Sequence, residues 1–144
     1  RKIQRRAGPP PGDRGLSVGL VIVTHGDTGT GLVKEAEFIL GDPLDGIRTV
    51  AFNHSEGHRE EIYQIHAAIE AAEEGDGVLV LSDLMGASPY NRVSVLLEHF
   101  DANLVTGVNL AFLLCVWAIR AMPIGNLTRK AVDCGRRSVK ILQL

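Results

Sequence analysis

The sequence predicts an α/β protein with a doubly wound, mostly parallel sheet, and three observations carry that prediction. Short β-branched and apolar runs alternate with longer helix-like segments, as expected of a sheet with helices on its faces. The runs are apolar throughout rather than polar at every second position, which is how strands buried on both sides read. Helix starts and stops fall between them, above all Ser88-Pro89 and Gly41-Asp42-Pro43.

Each element follows in order. Val18 to Thr24 (VGLVIVT) reads as a buried strand, and Gly29 to Leu40 as a helix opened by a turn rich in threonine and glycine. Ile47 to Phe52 is the second strand, Glu60 to Glu73 an amphipathic helix, and Gly77 to Leu81 (GVLVL) another buried strand. At Ser88-Pro89 a serine N-cap precedes a proline at the first helical position, which starts a helix running to about Phe100. Leu104 to Val108 is the fourth parallel strand, Leu110 to Ala121 a buried helix, and Leu127 to Cys134 a helix stopped by Gly135. A short strand, Val139 to Leu142, ends the chain.

Length and composition bound the answer further. The chain has 144 residues, 45% of them hydrophobic, enough for one globular domain that buries about two thirds of its unfolded surface. Its longest apolar run, Leu110 to Ile119, falls well short of the roughly 20 residues that cross a bilayer, so no membrane span is expected. Cys115 and Cys134 form no CxxC pair, and one lies inside that apolar run, so neither a disulfide scaffold nor a zinc site is suggested. A reducing cytosol fits this usage, and the expected location is cytoplasmic. Residues 1–14 hold Arg1, Lys2, Arg5, Arg6 and Arg14 against Asp13, a charge of +4 in a chain whose net charge is −2. The remainder is therefore acidic, which argues against nucleic acid as a partner. With its Ala-Gly-Pro-Pro-Pro-Gly stretch, the segment 1–15 is expected to be a disordered, basic and proline-rich head outside a domain at 16–144.

In open sheets of this kind ligands bind beyond the carboxyl ends of the strands, where strand order reverses. His25 follows the first strand in THGDTGTG, and Asp83 follows the third in SDLMGASPYN. If those strands are neighbours, Asp83 accepts a hydrogen bond from one ring nitrogen and leaves the other as a nucleophile, the orienting logic of a catalytic triad. Ser88 and the helix start behind it offer donors to a phosphoryl group, while Gly26 and Gly86 let backbone come close to it. No G-x-G-x-x-G fingerprint and no Walker motif is present, so nucleotide chemistry is disfavoured. His54 and His58 are spaced like metal ligands but lack a third, and no metal or other cofactor is expected. His66 and His99 sit in helix-like segments as surface or partly packed side chains. Phe112 and Trp117 read as core or subunit-interface residues, and the Glu60, Glu61 pair as an ordinary acidic first turn.

Taken together, VIVTHG, AEFILG, VLSDLMGASPYN and TGVNLAFLL, in this order, resemble the IIA domain of the mannose family of the phosphoenolpyruvate-dependent sugar phosphotransferase system, over about Val18 to Leu144. The resemblance implies a phosphotransferase: His25 takes a phosphoryl group from the histidine-containing phosphocarrier protein and hands it to a IIB component, with Asp83 in support. Asp83 to Asn91 matches the family's DxxGGSPxN segment, with Ala87 in place of one glycine. It also implies that the final strand joins a partner's sheet antiparallel to the others, giving a swapped homodimer. Two other readings stay open. One is a regulatory module whose phosphorylation state is read by another protein, and the other a phosphotransfer subunit serving dihydroxyacetone phosphorylation, neither of which moves sugar.

Overall fold

A computed structural model describes residues 15–53, 57–84 and 88–143, with His58 and residues 88–90 described by their backbone alone. The elements run β1 (Gly19–His25), α1 (Thr28–Leu40), β2 (Arg48–Phe52), α2 (His58–Ala72), β3 (Val78–Ser82), α3 (Ser88–Leu96), β4 (Ala102–Thr106), α4 (Leu110–Ile119) and α5 (Ile124–Arg137). All four strands are parallel, in the order β2-β1-β3-β4. Strand order therefore reverses between β1 and β3, the neighbours whose ends carry His25 and Asp83.

Alternation along each strand sends side chains to opposite faces, and each face has its own core. Leu20, Ile22, Leu79 and Leu81 meet Ala36, Phe112, Leu113, Val116, Leu127 and Ala131 under α1, α4 and α5. Val21, Val23, Val50, Phe52, Val78 and Val80 meet Ile65, Ile69, Val93 and Leu96 under α2 and α3. Val21 to Val23 and Val78 to Leu81 are all at or near zero exposure, which explains their uninterrupted apolar character in the sequence.

Several expectations need correction. β4 begins at Ala102, two residues before the apolar run, because Ala102 and Asn103 pair with Val78 and Leu79 of β3. Val108 lies beyond the strand, although its N–H still donates to the Ser82 carbonyl at 3.0 Å. The helix from Ser88 ends at Leu96 and passes into a 3₁₀ turn at Leu97–His99. Gly135 does not stop α5, which continues to Arg137. The glycine is there for closeness: a Cβ at Gly135 would lie 2.6 Å from Cδ2 of the buried Phe112 ring of α4. Cys115 and Cys134 are joined as a disulfide, contrary to the reading that saw no pairing. Their 19-residue separation hides the contact, which arises because α4 packs on α5 and brings the two Cα atoms to 5.9 Å. Val139 to Leu142 form no strand within the chain, and Val139, Ile141 and Leu142 are 82–83% exposed.

Candidate functional site

The site is built where β1 and β3 end. His25 is the last residue of β1, and alternation with Val21 and Val23 puts it on the α2/α3 face. Thr24, fully buried, points to the other face, where its Oγ1 accepts the N–H of Gly29 at 2.7 Å and ties the start of α1 to the strand end. Sequence reasoning passed over Thr24; a hydroxyl immediately before the histidine, with a glycine-opened helix behind it, was the available signal. Gly26 then turns the chain with φ of 50°, a conformation few side chains tolerate. Its N–H donates to the Phe52 carbonyl at 2.9 Å, so the amide is held within the fold while the turn itself carries no side chain.

Asp83 follows β3 directly, and the adjacency of β1 and β3 brings its carboxylate to His25. Oδ2 lies 2.8 Å from His25 Nδ1 and also accepts the His25 backbone N–H at 3.1 Å. Oδ1 accepts the N–H of Leu84 at 3.0 Å. Burial alone would raise the Asp83 carboxyl, but the hydrogen bonds from the His25 ring and backbone, with the attraction of the ring's charge, outweigh it and hold the group below its ordinary value. An ionised carboxylate is an acceptor only, so the proton between the pair belongs to Nδ1. In the neutral ring Nε2 then carries the free lone pair. The side chains of His25 and Asp83 are 36% and 19% exposed, so the pair is anchored yet reachable from solvent.

Of the other expected site residues, Ser88 is the first residue of α3, which begins at the same edge of the sheet. Gly86 lies outside the described residues, as does His54. His66 packs edge-on against Phe100, ring centroids 5.0 Å apart. Among the described residues no group of three or more His, Cys, Asp or Glu is placed to hold a metal ion, and no helix is long and apolar enough to cross a membrane. Glu61, read from the sequence as part of an ordinary acidic first turn, is instead nearly buried on the same face as His25 and paired with Arg92 of α3, which sequence reasoning passed over, because α3 packs against that turn of α2.

An open parallel sheet with an oriented histidine at its switch point defines a class: a doubly wound α/β protein with a histidine-aspartate pair at the carboxyl edge. Comparison with known proteins narrows it, because residues 19–132 match the family described as the PTS system fructose IIA component. The chain belongs to this mannose/fructose family of phosphotransferase-system IIA components. It is 31% identical over 104 residues to the fructose-specific EIIA component of Bacillus subtilis (strain 168), covering 72% of this chain and 70% of that protein. It is also 31% identical over 133 residues to the mannose-specific EIIAB component of Escherichia coli (strain K12), covering 89% of this chain. The chain spans only 40% of that longer relative. Among solved structures, the mannose/sorbose specific IIA subunit from Enterococcus faecalis superimposes with a TM-score of 0.81 at 20% identity, covering 90% of this chain and 97% of that one. At that identity the likeness speaks for the fold.

Proposed function

We propose that this chain is a phosphohistidine carrier, in which His25 accepts a phosphoryl group from the histidine-containing phosphocarrier protein and passes it to a IIB component for sugar uptake. The single observation that supports it best is the 2.8 Å contact of His25 Nδ1 with the Asp83 carboxylate, which leaves Nε2 as the nucleophile at an accessible strand end. The Nε2 lone pair attacks phosphorus; the P–N bond to the donor's histidine breaks, and its electron pair stays on that nitrogen. The His25 ring becomes cationic as the new P–N bond forms, and Asp83 stabilises that charge through Nδ1–H. The reverse sequence, with the IIB component as acceptor, discharges the carrier. Little covalent work falls to the protein in phosphoryl transfer, so positioning and electrostatics supply most of the catalysis. Ser88 at the start of α3, with Gly26 and Gly86, is assigned to the phosphoryl oxygens on the strength of the sequence pattern. Such a carrier is placed in the cytoplasm by its proposed partners and no longer by its cysteines, which are paired, needs no cofactor of its own, and is proposed to act as a homodimer whose exposed Val139, Ile141 and Leu142 find cover on a partner.

The test is labelling. Incubation with phosphoenolpyruvate, enzyme I and the phosphocarrier protein is expected to add one acid-labile phosphoryl group, located on His25 by mass spectrometry. Persistent labelling of a His25→Ala variant would overturn the assignment.

A further inference from the structure

The buried pair beside the site has no part in the chemistry above. Glu61 lies in the first turn of α2 and Arg92 in the second turn of α3, with side chains 7% and 12% exposed and Oε2 2.7 Å from Nη1. Those two atoms are close enough for an ion pair but are not aligned as a hydrogen bond. The Arg92 guanidinium also lies over the Phe52 ring, 5.8 Å from its centroid. Phe52 ends β2, stands opposite His25 in the parallel register, and its carbonyl accepts the Gly26 N–H at 2.9 Å. A continuous row of contacts therefore runs from Glu61 through Arg92 and Phe52 to the His25-Gly26 turn.

Stability does not account for this arrangement. Taking two charges out of water is costly, a poorly aligned pair returns little of that cost, and apolar side chains of similar volume commonly pack as well or better. Geometry does account for it. The pair joins α2 to α3 at the helix ends nearest the carboxyl edge of the sheet, and the broad guanidinium reaches both the Glu61 carboxylate and the face of Phe52, two contacts that a compact lysine ammonium does not reproduce together. We propose that Glu61 and Arg92 are positioning residues for phosphoryl transfer at His25, setting the place of the His25-Gly26 turn, through Phe52, relative to the start of α3.

This inference rests on the carrier reading, and its experiment separates the two. Transfer from the phosphorylated phosphocarrier protein is timed by rapid quench, and thermal unfolding is recorded, for wild type, for the double variant Glu61→Leu/Arg92→Met, and for Arg92→Lys. The double variant is expected to unfold at the wild-type temperature and to transfer roughly 10- to 100-fold more slowly, the loss that follows displacement of reacting groups by about 1 Å. Arg92→Lys keeps the charge, loses the guanidinium contact over Phe52, and is expected to slow transfer as well. A wild-type rate in either variant overturns the proposal, as does a loss of rate that merely tracks a loss of stability. If the double variant does not fold, Arg92→Lys decides alone. A wild type that takes no phosphoryl group on His25 overturns the carrier reading and this inference with it, whereas a labelled wild type with unimpaired variants overturns this inference only.

Discussion

Asp83 carries the electrostatics of the strand-end pair, and its replacement is informative in two ways. Asp83→Asn keeps the shape but removes the charge that, in the proposed carrier, stabilises a cationic phosphoimidazole, and its amide no longer dictates which ring nitrogen holds the proton. Transfer to His25 is expected to slow by roughly 10²-fold or more with the fold retained, as read by rapid quench and circular dichroism. The same group links stability to pH. A carboxyl whose folded value is depressed contributes stability that is present above its unfolded value, near 3.8, and lost as pH falls through the folded value. Urea unfolding at pH 6 and pH 3 is therefore expected to show wild type losing more stability on acidification than Asp83→Asn. At this scale the sequence was legible for His25 and Asp83, each at the carboxyl end of an apolar strand. It was not legible for Glu61, because two adjacent glutamates at a helix start look alike and only the approach of α3 turns one of them inward.

Elements were legible wherever burial left an unbroken apolar run, as in β1 and β3, and less so where pairing or packing decided the boundary. Gly135 is the clearest case. A glycine after a helical run is commonly a stop signal, but here α5 passes through it and uses the missing Cβ to lie against Phe112. Phe112 is 1% exposed in the core beneath α1, α4 and α5 and has little room to retreat. Gly135→Ala is therefore expected to destabilise the protein by about 1–3 kcal/mol through overpacking, despite the better helix propensity of alanine, measured by denaturant unfolding. An unchanged or raised midpoint would show that α4 and α5 can separate at little cost. The Cys115–Cys134 bond follows from the same packing, since helices pressed together at Gly135 also bring Cys134 to Cys115.

For the whole molecule the unresolved demand is the tail. Val139, Ile141 and Leu142 are each more than four fifths exposed, although both cores of the sheet are closed without them. Apolar surface of this kind on a segment without partners of its own is what an interface between subunits would cover. If the proposed homodimer is held by this tail, truncation after Arg137 is expected to leave monomer or aggregate in light scattering. A truncated protein that remains a dimer of correspondingly reduced mass would show that the tail does not hold the subunits together.

By itself the sequence determined the alternation of strand and helix, the burial of the central strands, and the placing of one histidine and one aspartate at strand ends. These are local properties, set by periodicity, chain punctuation and unbroken apolar runs. Tertiary structure alone decided that β1 and β3 are neighbours and so bring Asp83 to His25. It also decided that Glu61 faces Arg92, that Gly135 serves contact rather than termination, and that Cys115 meets Cys134. Each of these depends on residues distant in sequence, and a contact made by two separately folded elements leaves no periodic trace in either of them.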